Sequence, residues 1–284
     1  MGVSVSKGFV IFAQNKNNVD YVQQAYALAL SIKHSQQHNS VSLITNDAVP
    51  ESYHNVFDQI IPIPWFKEVK NSPLAAEHRW KIYHVTPYDE TIVLDSDMLL
   101  LEDISSWWEY CSNYNVKFCS TIRNYKQELV PIDEIHRKTF IENGLTNPYY
   151  AFHYFKKTDP AYDFYKVLEF VCSNWEKCSS IFTPNYYQNW ASMDLAAAMA
   201  IEITGMYTSS IDNCSPLEFV HMKIPLQGWS LLPTSWQDAV PFVLNSKGDL
   251  IVGNIKQQNV FHYVEKNFIT DSILTQLEEL VYGS

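Results

Sequence analysis

Cysteine is scarce in this chain of 284 residues. The five cysteines are odd in number, and no two of them have the spacing of a CxxC pair. They stand at positions 111, 119, 172, 178 and 214. A disulfide framework needs paired cysteines, and a zinc ribbon needs closely spaced ones. The sequence therefore predicts reduced cysteines and no site of either kind.

Arginine is rarer still, with three residues at positions 79, 123 and 137. The formal net charge is −11, and the basic residues form no cluster larger than a short pair. Proteins that bind nucleic acid draw much of their affinity from contacts between basic side chains and phosphates. The composition therefore argues against nucleic acid as the main partner, although a buried basic patch stays compatible with it.

Long apolar runs are also missing, since no uninterrupted stretch approaches the roughly 18 residues of a membrane-spanning helix. The N-terminal segment MGVSVSKGFVIFA has a single lysine and a short apolar run, which is unlike a signal peptide. We therefore expect a cytoplasmic protein without a transmembrane segment. With 46% hydrophobic residues, no internal repeat and no low-complexity linker, the chain is predicted to form one domain over residues 1–284.

Short apolar runs alternate with helical patterns in the first half of the chain. Strands are predicted at 7–13, 41–47, 57–64 and 91–95, and helices at 19–35 and 74–85. Such alternation is typical of an α/β fold whose central sheet is mostly parallel and flanked by helices. The second half predicts a strand at 116–122, helices at 162–175 and 190–203, a β-hairpin at 241–253, a strand at 259–264 and a closing helix at 273–281.

Two carboxylates, Asp95 and Asp97, follow a buried strand in the stretch TIVLDSDMLLLEDI, residues 91–104. Aspartate is common at turns, so a turn at the end of the strand is the simpler explanation of an isolated DxD. Here, however, apolar runs lie on both sides, and two close carboxylates repel each other unless a cation neutralises them. Mg²⁺ and Mn²⁺ bind carboxylates together with substrate phosphates, so a metal–diphosphate site is the alternative.

The longer stretch HRWKIYHVTPYDETIVLDSDMLLLEDIS, residues 78–105, resembles the core of GT-A glycosyltransferases, above all the glycogenin-like group. In that family the DxD aspartates hold Mn²⁺ or Mg²⁺, which binds the diphosphate of a nucleotide sugar. The resemblance implies these roles for Asp95 and Asp97, with Ser96 between them at the cofactor. It places Arg79 at the basic position that contacts sugar or phosphate, with Lys81 as the neighbouring alternative.

Two further segments carry the resemblance. FAQNKNNVDYVQQAYALALSIK resembles the family's first strand and helix, which implies that Ala13, Asn15 and Tyr21 meet the nucleotide. NVFHYVEKNF resembles the family's histidine-containing strand, which implies that His262 is the third protein ligand of the metal. The family's Gly and Lys-Pro-Trp do not follow; Lys266 stands nearby at a different spacing and is the candidate for binding phosphate.

The middle of the chain departs from the family. NPYYAFHYFKK keeps a strand but not the Asn-Ser-Gly signature, and in SMDLAAAMA Asp194 takes the place of the family's aspartate while Leu195 replaces its partner. Asp194 is therefore either a catalytic carboxylate or only an acid in the first turn of a helix. The resembled group retains anomeric configuration, whereas an inverting enzyme would use Asp194 as base. His221, Lys223 and Trp229 are candidates for the acceptor cleft.

Taken together, these features predict a single GT-A, Rossmann-like domain with a C-terminal hairpin, strand and helix. Residues 1–122 would bind the nucleotide sugar, and residues 123–284 would form the acceptor side with the metal-ligand strand. The predicted activity is metal-dependent transfer of a sugar from a nucleotide diphosphate sugar, by resemblance a UDP-sugar, to a glycan, lipid, small molecule or protein.

Two rival functions stay open. A nucleotidyltransferase would show a Gly-rich phosphate loop after the first strand, and FAQNKNNVD contains no glycine. A non-catalytic module that binds carbohydrate or a protein partner would tolerate loss of the metal ligands, and Asp95, Asp97 and His262 are all present. A nucleic-acid glucosylating enzyme is disfavoured by the acidic charge.

Overall fold

The computed structural model describes residues 6–66, 76–134, 137–186, 188–211, 214–228 and 235–283. The strands are β1 (Lys7–Phe12), β2 (Val41–Ile44), β3 (Gln59–Ile61), β4 (Glu90–Asp95), β5 (Met98–Leu100), β6 (Val116–Cys119), β7 (Thr121–Arg123), β8 (Tyr149–Lys156), β9 (Glu218–His221), β10 (Phe242–Leu244), β11 (Leu250–Val252), β12 (Ile255–Lys256) and β13 (Val260–His262). The α-helices are α1 (Tyr21–Ser35), α2 (Ile82–Val85), α3 (Ser105–Cys111), α4 (Lys138–Glu142), α5 (Asp159–Ser173), α6 (Trp175–Phe182), α7 (Met193–Thr204), α8 (Trp236–Ala239) and α9 (Asp271–Tyr282). Short 3₁₀ helices lie at Glu51–Val56, Ala76–Lys81, Tyr207–Ser209 and Ile224–Gln227.

The main sheet has the strand order β3-β2-β1-β4-β8-β6. Strands β3, β2, β1 and β4 are parallel, while β8 is antiparallel to both of its neighbours. The apolar runs of β1, β2 and β4 are almost wholly buried because helices cover the sheet. The predicted α/β fold with a mostly parallel, helix-flanked sheet is confirmed.

A second sheet has the order β5-β13-β9-β7 and meets the main sheet at the end of β4. Strand β4 ends at Asp95, and β5 begins at Met98 in the other sheet. The chain therefore changes sheets at Asp95-Ser96-Asp97. Strand β13 pairs antiparallel with β5 and parallel with β9. A late segment of the chain is thus held against the aspartates.

Several element boundaries differ from the sequence predictions. The predicted strand 116–122 is two strands, β6 in the main sheet and β7 in the second. The predicted helix 74–85 is the 3₁₀ helix Ala76–Lys81 followed by α2; residues 74 and 75 lie outside the described residues. Helix α5 begins three residues earlier than predicted because the Thr158 side chain accepts a hydrogen bond from the Ala161 N–H.

The C-terminal hairpin prediction is confirmed, with β10 and β11 antiparallel around a turn. The Asn245 side chain accepts hydrogen bonds at 2.9 Å from the N–H groups of Lys247 and Asp249, which explains why the turn forms there. The closing helix is also present as α9, and the Tyr26 hydroxyl of α1 donates to Glu278 of α9 at 3.0 Å. Within the described ranges, none of the helices has the length and apolarity needed to cross a bilayer.

Gly8 in β1 faces the ring of Tyr88 so closely that an added Cβ would overlap the ring. The ring cannot easily move, since Tyr88 is buried and its hydroxyl lies 2.8 Å from that of Ser42. We expect Gly8→Ala to lower the free energy of unfolding by about 1–3 kcal/mol, measured by urea denaturation. Adding Tyr88→Leu should relieve part of the overlap; strictly additive losses would contradict this explanation.

His153 is a fully buried histidine in the middle of β8. Its Nδ1 lies 2.8 Å from the Tyr150 carbonyl oxygen, which can only accept, so Nδ1 carries the proton. Its Nε2 then accepts from the Tyr165 hydroxyl at 2.9 Å. Burial lowers the pKa of His153 from the ordinary 6.5 to about 3. The imidazole is therefore neutral in the folded protein.

This neutral imidazole predicts a pH-dependent stability. Between pH 6.5 and about 3 the unfolded chain binds a proton at His153 that the folded chain does not bind. The contribution of His153 to the free energy of unfolding is therefore fully present above pH 6.5. It decreases as the pH falls, by about 2 kcal/mol between pH 7 and 5. In His153→Gln the free energy of unfolding should depend less steeply on pH over this interval; equal slopes would show that His153 does not cause the loss.

Candidate functional site at the junction of two sheets

The backbone brings His262 beside Asp97. In the antiparallel pair of β13 and β5, His262 is the register partner of Met98, the residue after Asp97. The Tyr263 N–H donates to the Asp97 carbonyl at 3.2 Å and continues this pairing across the sheet junction. The second sheet thus brings Asp97 and His262 together, although they are more than 160 residues apart in the chain.

Asp95, Asp97 and His262 form a set of metal-ligand donors. One donor atom from each lies within 4.8 Å of the others, and His262 Nε2 is 3.1 Å from Asp97 Oδ1. Asp97 and His262 are 6% and 8% exposed, and the buried Nδ1 of His262 has no hydrogen-bond partner within the described residues. Two carboxylates and one imidazole, with a nitrogen left without a partner, are a donor set that fits Mn²⁺ or Mg²⁺.

Two basic side chains neutralise these carboxylates. Arg79 Nη2 pairs with Asp95 Oδ1, and Lys266 Nζ pairs with Asp97 Oδ2. Burial alone would raise the pKa of Asp97, but His262 and Lys266 hold it well below its ordinary value. Asp97 is therefore ionised at neutral pH, which is the form that a metal ligand requires.

The donor set borders a cavity of about 440 Å³. Its lining includes five basic side chains, Lys16, Arg79, Arg137, Lys223 and Lys266, and three aspartates, Asp95, Asp97 and Asp194. The cavity is therefore locally basic in a chain whose formal net charge is −11. Such a concave basic site attracts anions from solution, and a diphosphate is of suitable charge.

The sequence-predicted residues divide into those that line the cavity and those that do not. Tyr21, Arg79, Ser96, Asp194 and Lys266 line it together with the three metal-ligand candidates. At one side of the cavity, Lys266 Nζ lies 5.3 Å from the centre of the Tyr21 ring. The start of α1 therefore meets the C-terminal segment here, and Gln24 of the same helix also contacts this segment by donating to the Lys266 carbonyl at 3.1 Å.

Ala13, Asn15 and Lys81 are placed elsewhere. Ala13 is 1% exposed, and the Asn15 side chain accepts from the Val22 N–H at 3.1 Å. Their neighbours Gln14 and Lys16 line the cavity instead, because adjacent residues of an extended segment point to opposite sides. Lys81 is buried and donates to the Trp65 carbonyl at 2.9 Å. Two residues after Arg79 in a 3₁₀ helix, it points away from the Arg79 side.

Arg137 was not a candidate in the sequence, where only its rarity could have drawn attention. It is 5% exposed and donates to the Asn147 side chain at 2.6 Å, the Pro148 carbonyl at 2.7 Å and Asp194 Oδ2 at 2.5 Å. Its guanidinium carbon lies 3.9 Å from the centre of the Tyr149 ring. The Asn147 amide oxygen thus supports Arg137, and Asn147 does not line the cavity.

His221 and Lys223 line the cavity beside the metal-ligand candidates. His221 on β9 is the register partner of His262 on β13, and their ring centres are 4.7 Å apart. Burial lowers the pKa of His221 well below its ordinary value, and the neighbouring His262 and Lys223 lower it further. Trp229, the third candidate for the acceptor cleft, lies outside the described residues.

No protein-family model matches the chain, and no curated protein matches it in sequence. Solved structures do resemble it. The galactosyltransferase LgtC, solved with donor and acceptor sugar analogs, has a TM-score of 0.51 at 12% identity, over 96% of this chain and 95% of LgtC. Glycosyltransferase GlyE of Streptococcus pneumoniae TIGR4 has a TM-score of 0.44 at 12% identity, over 98% of this chain but 60% of GlyE. The mannosyltransferase Ktr4p of S. cerevisiae has a TM-score of 0.40 at 9% identity, over 69% of this chain and 66% of Ktr4p.

The match to LgtC bears on the fold. The chain spans about 60% of the length of the GlyE structure that it matches. LgtC, in contrast, is matched over almost the whole length of both proteins. Together with the mostly parallel sheet, the match to LgtC shows that this chain has a GT-A fold.

Proposed function

We propose that the chain is a metal-dependent glycosyltransferase that takes a sugar from a nucleotide diphosphate sugar, a UDP-sugar by resemblance, and transfers it to an acceptor. The observation that carries the proposal is the cluster of Asp95, Asp97 and His262 donor atoms within 4.8 Å, at the border of a basic cavity. The structure of LgtC with donor and acceptor sugar analogs supports a two-substrate reaction on this fold.

Asp95, Asp97 and His262 would hold the cation. When bound, it supplies Lewis-acid stabilisation of the charge on the leaving diphosphate. Arg79 and Lys266 now pair with Asp95 and Asp97. A divalent cation between the carboxylates would take over this neutralisation, so both basic side chains could turn to the phosphates and add fixed positive charge there.

The nucleotide would lie on the side of the cavity formed by the loop after β1. Tyr21 offers an aromatic face there, and Gln14 offers an amide that can donate and accept hydrogen bonds. This arrangement supports the division into a nucleotide-binding half, residues 1–122, and an acceptor half with the metal-ligand strand, residues 123–284.

Asp194 is better suited to positioning than to proton abstraction. Its Oδ1 accepts from the Tyr150 N–H at 2.8 Å, and its Oδ2 accepts from Arg137 at 2.5 Å. A general base has to direct a lone pair at the acceptor hydroxyl, whereas these two hydrogen bonds hold the Asp194 carboxylate against Tyr150 and Arg137. This contact pattern supports a reaction without a strong base, as in the retaining group that the sequence resembles.

The activity is tested by release of UDP from UDP-glucose, UDP-galactose and UDP-glucuronate, with Mn²⁺ and with EDTA. Glycosyltransferases of this kind are expected to hydrolyse their donor slowly when water replaces the acceptor. We expect UDP release from at least one donor with Mn²⁺ and none with EDTA. If GDP-, CDP- and dTDP-sugars as well as UDP-sugars gave no release, the enzyme proposal would fail, and a non-catalytic binding module on the same fold would replace it.

A further inference from the structure

The cavity has a second charged end, which begins at His221 beside the metal-ligand candidate His262. We call it the Lys223 end; it consists of Arg137, Tyr149, Asp194, His221 and Lys223, which all line the cavity. The members are connected: Arg137 contacts Tyr149 and Asp194, and the rings of Tyr149 and His221 are 6.4 Å apart. His221 in turn contacts the backbone of Lys223. This end is therefore one continuous surface.

The only carboxylate of the Lys223 end is already paired with a basic side chain of the same end. Asp194 receives the Tyr150 N–H on one oxygen and the Arg137 guanidinium on the other. The formal charges of Arg137 and Asp194 cancel. The Lys223 end therefore has a net positive formal charge, which Lys223 supplies.

The remaining groups of the Lys223 end are hydrogen-bond donors. Lys223 is exposed, and its Nζ forms no hydrogen bond or ion pair within the described part of the chain. His221 Nδ1 accepts from the Lys223 backbone N–H at 3.2 Å, so the neutral ring carries its proton on Nε2. Tyr149 is a third lining residue, and its hydroxyl can donate as well as accept. A neutral sugar offers hydroxyls that donate as well as accept, whereas a phosphate or carboxylate offers acceptors alone.

We propose that the Lys223 end binds an anionic group, a phosphate or carboxylate, carried by a substrate. The identification of that group as part of a glycosyl donor or acceptor rests on the proposed function. Lys223 supplies the charge, and the Nε2–H of His221 and the Tyr149 hydroxyl supply directed hydrogen bonds. The ion pair of Arg137 with Asp194 holds the surface in place.

The first experiment compares glucose 6-phosphate with glucose as probes, by calorimetry on the full chain with EDTA present. We expect glucose 6-phosphate to bind and glucose to bind at least about 10-fold more weakly, since only the phosphate meets Lys223. Lys223→Met should lower the affinity for glucose 6-phosphate about 10-fold, and Lys223→Arg should restore most of it. Lys177→Met, which changes an exposed lysine of α6, is the matched control.

Equal affinities for the two probes, or equal affinities of Lys223→Met and Lys177→Met for glucose 6-phosphate, would overturn the proposal. Failure of the proposed function can be told apart from failure of this proposal, because the proposed function is tested by Mn²⁺-dependent binding of UDP. Absence of UDP binding in the wild type would refute the donor site and leave the phosphate result standing by itself.

Two further titrations identify the source of the anion in the Mn²⁺-loaded protein. If UDP-glucuronate binds more tightly than UDP-glucose and Lys223→Met removes the difference, the donor sugar carries the anionic group. If glucose 6-phosphate binds the complex with UDP in a Lys223-dependent manner, the acceptor carries it. Either result supports the proposal, and failure of both would show that the Lys223 end serves no substrate anion.

Discussion

Asp97→Asn is expected to weaken Mn²⁺ binding in the presence of UDP by at least about 100-fold. Asparagine keeps the shape of the side chain but removes one of two negative charges, and charged oxygen ligands dominate the affinity for hard divalent cations. The experiment follows the EPR signal of free Mn²⁺, which decreases as the ion binds. An affinity equal to that of the wild type would refute the assignment of Asp97 as a metal ligand.

The fold should survive this substitution. Lys266, whose side chain is 39% exposed, can turn to solvent when the Asp97 charge is lost. Asp163→Asn is a matched control because it removes an exposed carboxylate on α5. It should leave Mn²⁺ binding unchanged. His262→Ala should weaken binding less than Asp97→Asn, since both carboxylates remain.

Arg137→Met is expected to lower the free energy of unfolding by about 3–5 kcal/mol. Methionine keeps an apolar stem between the neighbouring rings but removes the guanidinium. The Asn147 amide oxygen, the Pro148 carbonyl and one oxygen of Asp194 then lose their donor. These groups lie mostly out of water, so the cost is that of unsatisfied polar atoms and not merely of one lost ion pair. Urea denaturation measures it.

Arg123→Met provides the comparison. Arg123 also pairs with a carboxylate, Glu218, at 2.9 Å, but the two side chains are 30% and 24% exposed. Water can replace the lost partner there, so we expect a loss of about 1 kcal/mol or less. If both variants lost the same stability, the network around Arg137 would not have the structural importance that its burial indicates.

The apolar runs made the fold largely predictable. The runs of β1, β2 and β4 are buried on both sides of a parallel sheet, and that pattern is visible in the residues alone. The direction of β8 is not encoded in such a pattern, and its antiparallel pairing emerges only from the tertiary structure. The division of residues 116–122 between two sheets is equally invisible to periodicity.

The candidate site was predictable where its residues follow a strand in a recognisable stretch. Asp95 and Asp97 stand out because apolar runs surround them, and the NVFHYV stretch points to His262. Arg137 and Asp194 meet across 57 residues of chain, and no local pattern connects them. Whether Arg79 or Lys81 faces the cavity depends on the turn of a short 3₁₀ helix, which spacing alone does not determine.

The proposed function requires a metal-dependent nucleotide site at the end of β4. Calorimetric titration of UDP into the wild-type chain, first with Mn²⁺ and then with EDTA, tests it most directly. We expect binding with Mn²⁺ that disappears in EDTA, because Asp95, Asp97 and His262 would hold the cation and the cation would supply positive charge to the diphosphate. UDP binding of equal affinity under both conditions would show that the basic side chains hold the nucleotide without a metal, and would contradict the account.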